Sequence, residues 1–125
     1  PQGYTAQKIA SLKNIEMCCT SVIVACELRY GACKKGSSTL TAKVNQLLET
    51  LEILPLGQEV DLHYAKIRVA LEQAGTPIGS NDLLIASQAS ALGLTIITGN
   101  VKEFSRVPDL AVENWLRYRG IESDY

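Results

Sequence analysis

The chain has 125 residues, 46% of them apolar, and its 12 basic and 13 acidic side chains leave a formal charge of −1. That length and apolar content describe one domain with a single core, without low complexity or disorder. The near-neutral balance excludes a global basic field, so any contact with nucleic acid must use a local patch. No run approaches the roughly 18 apolar residues of a membrane span, and no basic, apolar leader opens the chain. It therefore reads as a soluble cytoplasmic protein.

Apolar periodicity predicts a helix near Thr5 to Lys13, a short strand near Glu16 to Thr20, and a helix capped by Ser21 that runs toward Cys33. Lys34 to Ser38 is a turn and a new cap, after which Leu40, Val44, Leu47, Leu48 and Leu51 recur at helical spacing. Glu52 to Leu56 is a short extended piece ended by Pro55. A helix from about Gln58 to Ala74 carries Val60, Ile67 and Leu71 on one side and stops at Gly75. The loop Thr76-Pro77-Ile78-Gly79 leads into a helix from about Asn81 to Leu92, which Gly93 ends. Leu94 to Thr98 has the continuous apolar character of a buried parallel strand, Val101 to Ser105 is a short helix, and a last strand lies near Ala111 to Glu113. Strands separated by helices imply an α/β fold, a parallel sheet covered by helices, in one domain over residues 1–125.

The four cysteines, Cys18, Cys19, Cys26 and Cys33, have neither zinc-site spacing nor the density of a disulfide framework, and read as buried thiols. Glu27 is the only charge in the first two turns of an otherwise apolar helix. Burying it unpaired would cost several kcal/mol, so it needs a cation: a metal, or a basic side chain such as Arg29 or Lys34. Asp82, after Ser80 and Asn81, is either a helix cap or first-turn acid, or a carboxylate presented over the strand ends where hard cations bind. Thr98-Gly99-Asn100 emerges from an apolar strand with Glu103 one turn beyond; it is either a tight turn or part of a polar cluster around one ion. His63 stands alone at mid-helix, and no serine nucleophile elbow accompanies it, so it reads as a surface or partly packed histidine in preference to a member of a Ser-His-Asp hydrolase or a histidine zinc site. Trp115 reads as packing.

In their order, these segments resemble the PIN-domain ribonucleases, and among them the VapC-type toxins of bacterial toxin–antitoxin pairs. Thr20 to Ala32, around Glu27, resembles the family's second acidic motif, Gly75 to Ala86, around Asp82, its third, and Thr98 to Val107 with Leu110 to Trp115 its closing segment. The resemblance implies an α/β/α sandwich whose acids gather Mg²⁺ or Mn²⁺, with RNA cleaved by metal-activated water. It makes Asp82 a metal ligand and Glu27 a second acid that binds the metal or orients its water. Asn100 positions water or substrate, Glu103 completes the acidic cluster, and Thr98 supports it by hydrogen bonding. It further implies a homodimer, a VapB-type antitoxin that blocks the acids, and structured RNA, tRNA above all, as substrate. Arg29, Lys34, Lys35, Lys102 and Arg106 are the candidate phosphate contacts. The alternative is a catalytically inactive PIN-like module for dimerisation or antitoxin binding.

Two departures stand out. The family's first acid, an aspartate in a Leu-Asp-Thr-Asn type segment on the central strand, has no counterpart here, and the natural protein is expected to be longer at this end by one strand and its turn. Asn100 stands where many PIN domains carry aspartate, which suits the VapC branch and favours one ion over two.

Overall fold

The computed structural model describes residues 11–14 and 17–114, with side chains described from Cys19 onward. Ten elements follow in order: β1 (Ser11–Asn14), β2 (Met17–Ser21), α1 (Val22–Lys35), α2 (Ser38–Glu49), β3 (Glu52–Leu54), α3 (Val60–Gln73), α4 (Ser80–Leu92), β4 (Thr95–Ile97), α5 (Val101–Phe104) and β5 (Val112–Glu113). The strands form a single sheet in the order β3-β2-β1-β4-β5.

The outer pairs are parallel, Cys19 opposite Glu52 and Ile96 opposite Val112. Each is joined by a helical crossover, as parallel strands require. The central strand departs from the all-parallel expectation. β1 runs antiparallel to both neighbours, with Leu12 opposite Cys19 on one side and Ile96 on the other. The helix expected near Thr5 to Lys13 is thus corrected over residues 11–13, which belong to β1; the rest of that segment lies outside the described residues. Four residues are too few to hold a helix against ladder bonds available on both edges, so tertiary pairing overrides a weak helical pattern.

The remaining boundaries follow local chemistry. The Ser21 hydroxyl accepts from the Ile23 N–H and opens α1, and the Ser37 hydroxyl accepts from the Leu40 N–H and opens α2. Between these helices Gly36 adopts φ 64° as the left-handed terminator of α1. Glu59 also takes a left-handed conformation, at φ 70°, and delays α3 to Val60. Gly93 ends α4 and turns the chain into β4.

Cys19 of β2, Val24 and Leu28 of α1, Ile85 and Ala89 of α4, Ile96 of β4 and Phe104 of α5 are buried together in one core. Gln88 is also fully buried; its amide donates to the carbonyls of Leu54 and Pro55, tying α4 to the end of β3. The cysteine expectation divides. Cys19 is buried, but Cys26 and Cys33 lie on the outer side of α1 and are exposed. The core is supplied instead by Val24, Ala25, Leu28 and Ala32, which recur at three- and four-residue steps. The side chain of Cys18 lies outside the described ones, as does Trp115.

Candidate active site

Two chain reversals bring the acids together. After α3, Gly75 at φ 72° redirects the chain through Thr76-Pro77-Ile78 to Gly79, whose extended backbone starts α4. Asp82 then falls in the first turn of α4, where the positive end of the helix dipole favours a carboxylate. No side chain caps that helix, so Asp82 is a first-turn acid and not the cap.

After β4, the buried Thr98 hydroxyl accepts the N–H of Asn100, and the reversal leads directly into α5. This places Glu103 against the start of α4. One Glu103 oxygen accepts the Gly79 N–H at 2.9 Å, and the other accepts the Asn100 side-chain amide at 2.6 Å. Glu103 also shares a side-chain hydrogen bond with Asp82. Two carboxyl groups in such contact need one proton, or one cation, between them.

Burial pushes the Glu103 carboxyl up, but this is outweighed. The hydrogen bonds from Asp82, from the Gly79 N–H and from Asn100, together with the nearby positive charge of Arg106, hold it below the ordinary carboxylate range. Arg106 is itself fixed by a bond from its guanidinium to the Pro77 carbonyl. Even a Cβ on Gly79 would stand 3.7 Å from Glu103 Oε2 and 4.0 Å from Asp82 Oδ2, so the backbone passes close to both acids.

Glu27, half-buried on α1, meets this cluster from the other side. The Asn81 amide donates to its Oε2 at 3.2 Å, and Asn81 immediately precedes Asp82. The expected partnership with Arg29 or Lys34 is corrected: the Arg29 guanidinium donates to Asn45 at 2.7 Å, and Lys34 lies over the Tyr30 ring. The structure thus pairs Asp82 with Glu103, gathers Asn100 and Thr98 beneath them, and attaches Glu27 through Asn81. Among the described residues no third Asp, Glu, His or Cys joins Asp82 and Glu103 closely enough to form a metal-ligand group. His63 stands apart, its Nδ1 2.9 Å from the Ser90 hydroxyl between α3 and α4.

The residues that sequence reasoning passed over are Asn81 and Gly79. Asn81 carried a signal, because a helix's second residue next to an acid can reach across to a neighbouring element. Gly79 carried none, since it acts through its backbone N–H.

A family model described as PIN domain matches residues 4–110. The chain belongs to the PIN domain family, in its VapC branch. Ribonuclease VapC2 of Rickettsia felis is 40% identical over 116 residues, covering 92% of this chain and 86% of that protein. The tRNA(fMet)-specific endonuclease VapC of Salmonella typhimurium is 36% identical, covering 82% of this chain and 78% of the other. Among solved structures, the VapBC2 complex of R. felis bound to a promoter DNA fragment contains a chain with a TM-score of 0.74 and 44% identity, over 78% of this chain and 74% of that one. For this PIN domain, then, the α/β architecture and the family are both those the motifs implied.

Proposed function

We propose that this PIN domain is a Mg²⁺- or Mn²⁺-dependent endoribonuclease toxin that hydrolyses phosphodiester bonds in tRNA or another structured RNA, acts as a homodimer in the cytoplasm, and is restrained by a VapB-type antitoxin. The observation that carries the reading is the Asp82–Glu103 carboxyl pair, braced by Gly79 and Asn100 at the start of α4. The names of its relatives, ribonuclease and tRNA endonuclease, support the same class of reaction. VapB-type partnership is supported by structural neighbours described as VapBC complexes.

The donor set fits a hard divalent ion. Mg²⁺ is commonly held by one or two carboxylates, with water and substrate phosphate filling its other positions. Asp82 would hold it, with Glu103 beside it and Glu27 as the second acid from α1. When bound, the ion supplies an activated water and neutralises charge on the phosphate. Asn100 fixes Glu103 and orients water or the substrate's oxygen. Thr98 fixes the Asn100 backbone. Asn81 keeps Glu27 turned toward the cluster, and the first turn of α4 adds a positive dipole end close to the scissile phosphate.

Cleavage of a total tRNA preparation in Mg²⁺, beside Asp82→Asn and a chelator control, tests the proposal. Cleavage lost in both controls supports a metal-dependent ribonuclease centred on Asp82. Cleavage that persists in the chelator, or none by the folded, antitoxin-free parent, rejects it.

A further inference from the structure

We propose that the cleft beside Glu27 is a nucleotide subsite, in which Tyr30 stacks on a base of a single-stranded RNA segment and Lys34 and Lys35 hold a neighbouring phosphate. The inference rests on the ribonuclease reading and extends it to how the substrate strand is gripped.

The cleft encloses about 690 Å³ and is lined by Glu27, Tyr30, Gly31, Lys34 and Lys35 of α1 and by Asn81 of α4. That is within the range of about 300–1,000 Å³ usual for small-molecule sites. Its Glu27–Asn81 end holds the hydrogen bond that joins Glu27 to the residue before Asp82, so the cleft lies beside the acid cluster. Glu27, Gly31 and Lys34 lie at four- and three-residue steps along one face of α1 and span about 10 Å of helix axis. A strand laid along this face passes the acids, then an aromatic ring, then two cations.

Among the described residues Tyr30 is the most exposed of the large apolar side chains, at 64%. Lys34 Nζ lies 5.8 Å from its ring centroid, close enough for a cation–π contact. Gly31 supports the reading from beneath, because a Cβ there would meet nothing within 4 Å, leaving the floor of the cleft open beside the ring. The lysines alone have a simpler explanation, since cations at a helix C-terminus complement its dipole. That explanation leaves the exposed ring and its position between the acids and the cations without a cause. Aromatic faces that take any base, flanked by cations on the backbone, are how single strands are held without reading sequence.

The test measures binding of a fluorescein-labelled single-stranded A6 oligoribonucleotide to the Asp82→Asn protein, which leaves the strand uncut, and to the same protein with further changes. Tyr30→Ala is expected to weaken binding about tenfold, while Tyr30→Phe retains it, because stacking needs the ring and not the hydroxyl. Lys34→Ala with Lys35→Ala is expected to make the slope of log affinity against log salt shallower by about 0.7, one phosphate on a single strand. Unchanged melting temperatures confirm that these exposed changes leave the fold intact. If Asp82→Asn binds A6 and all the further variants bind it equally well, the cleft serves another occupant, such as a protein segment, and this inference falls while the ribonuclease reading stands. If Asp82→Asn does not bind A6, this inference falls as well, while the ribonuclease reading is decided by the tRNA cleavage test.

Discussion

Asp82→Asn separates the proposed catalytic use of the acid cluster from its structural cost. The hydrogen bond between Asp82 and Glu103 requires one proton, and with the bonds from Gly79 and Asn100 and the charge of Arg106 it holds Glu103 ionised; where that proton is lost and no cation replaces it, the pair becomes two adjacent charges. Two unit charges ~4 Å apart repel by about 1 kcal/mol in water and about 4 kcal/mol at the effective dielectric of a protein surface. The pair is only half-buried, so the lower part of that range applies, about 1–2 kcal/mol. Asparagine keeps the shape, donates its amide hydrogen to Glu103 without requiring a shared proton, and forgoes a helix-dipole contribution of about 0.5 kcal/mol. The net expectation is a variant more stable than its parent by about 1 kcal/mol in EDTA, a rise of about 4 °C in melting temperature for a chain of this size. Magnesium at the proposed site should reverse the order of sensitivity. At ten times its dissociation constant a ligand of the folded state alone stabilises the parent by about 1.4 kcal/mol, whereas the variant, without the Asp82 carboxylate, should respond far less. Differential scanning fluorimetry in EDTA and across a Mg²⁺ series reads both effects. An Asp82→Asn protein less stable than its parent in EDTA, with an equal Mg²⁺ shift, refutes the idea that these two acids need a proton or a cation between them.

Glu103→Gln tests the same cluster through pH. A carboxyl lowered in the folded state contributes stability above its ordinary value and loses it as pH falls through the lowered one, so the parent's stability should fall as pH drops below the ordinary glutamate range. Urea denaturation of Glu103→Gln should show a shallower fall over that range, and an identical acid limb in both proteins contradicts the assignment. Gln88→Ala removes two hydrogen bonds to the Leu54 and Pro55 carbonyls from a fully buried side chain. It should lower stability by about 2–4 kcal/mol in urea titrations; a loss under about 0.5 kcal/mol would mean that the α4–β3 tie carries little.

How much of this was legible in the sequence depends on whether a feature is local or long-range. Ser21 as a cap, the turn and cap within Lys34 to Ser38, Gly93 as a terminator, and the face formed by Val60, Ile67 and Leu71 are nearest-neighbour properties, and the structure contains each of them. Asp82, Asn100, Thr98 and Glu103 could be nominated together because two short turns at strand and helix ends must emerge on one edge of the sheet. Their pairing could not. It depends on Gly79 lending an N–H to Glu103 across 24 residues and on Asn81 reaching Glu27 across 54. The partner of Glu27 was misread for the same reason: Arg29 is near in sequence, but Asn45 of α2 draws it away. The central strand was misread because the short Ser-Leu-Lys-Asn segment takes its conformation from β2 and β4 on either side, and not from itself. Cys26 and Cys33 show a limit of residue averages, since a usually buried residue type follows its helix face when the face points outward.

The site's design follows from where its charge is borne. Neither acid lies deep in the core; Thr98 is the buried member, and its hydroxyl is satisfied by the Asn100 backbone. The acids stand at the rim, half-exposed, where ionisation costs least, and each is fixed by groups that cannot wander: a backbone N–H, a short-chain amide, and an arginine anchored to a carbonyl. Glu103 therefore has little freedom to turn away from Asp82, and the two acids stay in contact in the resting protein, where they must share a proton or a cation. A cation at the proposed metal site would replace the shared proton without first having to order the ligands, so the same bracing would raise its affinity. Loosening the brace, by Asn100→Ala, should for that reason weaken Mg²⁺ binding more than it weakens the fold.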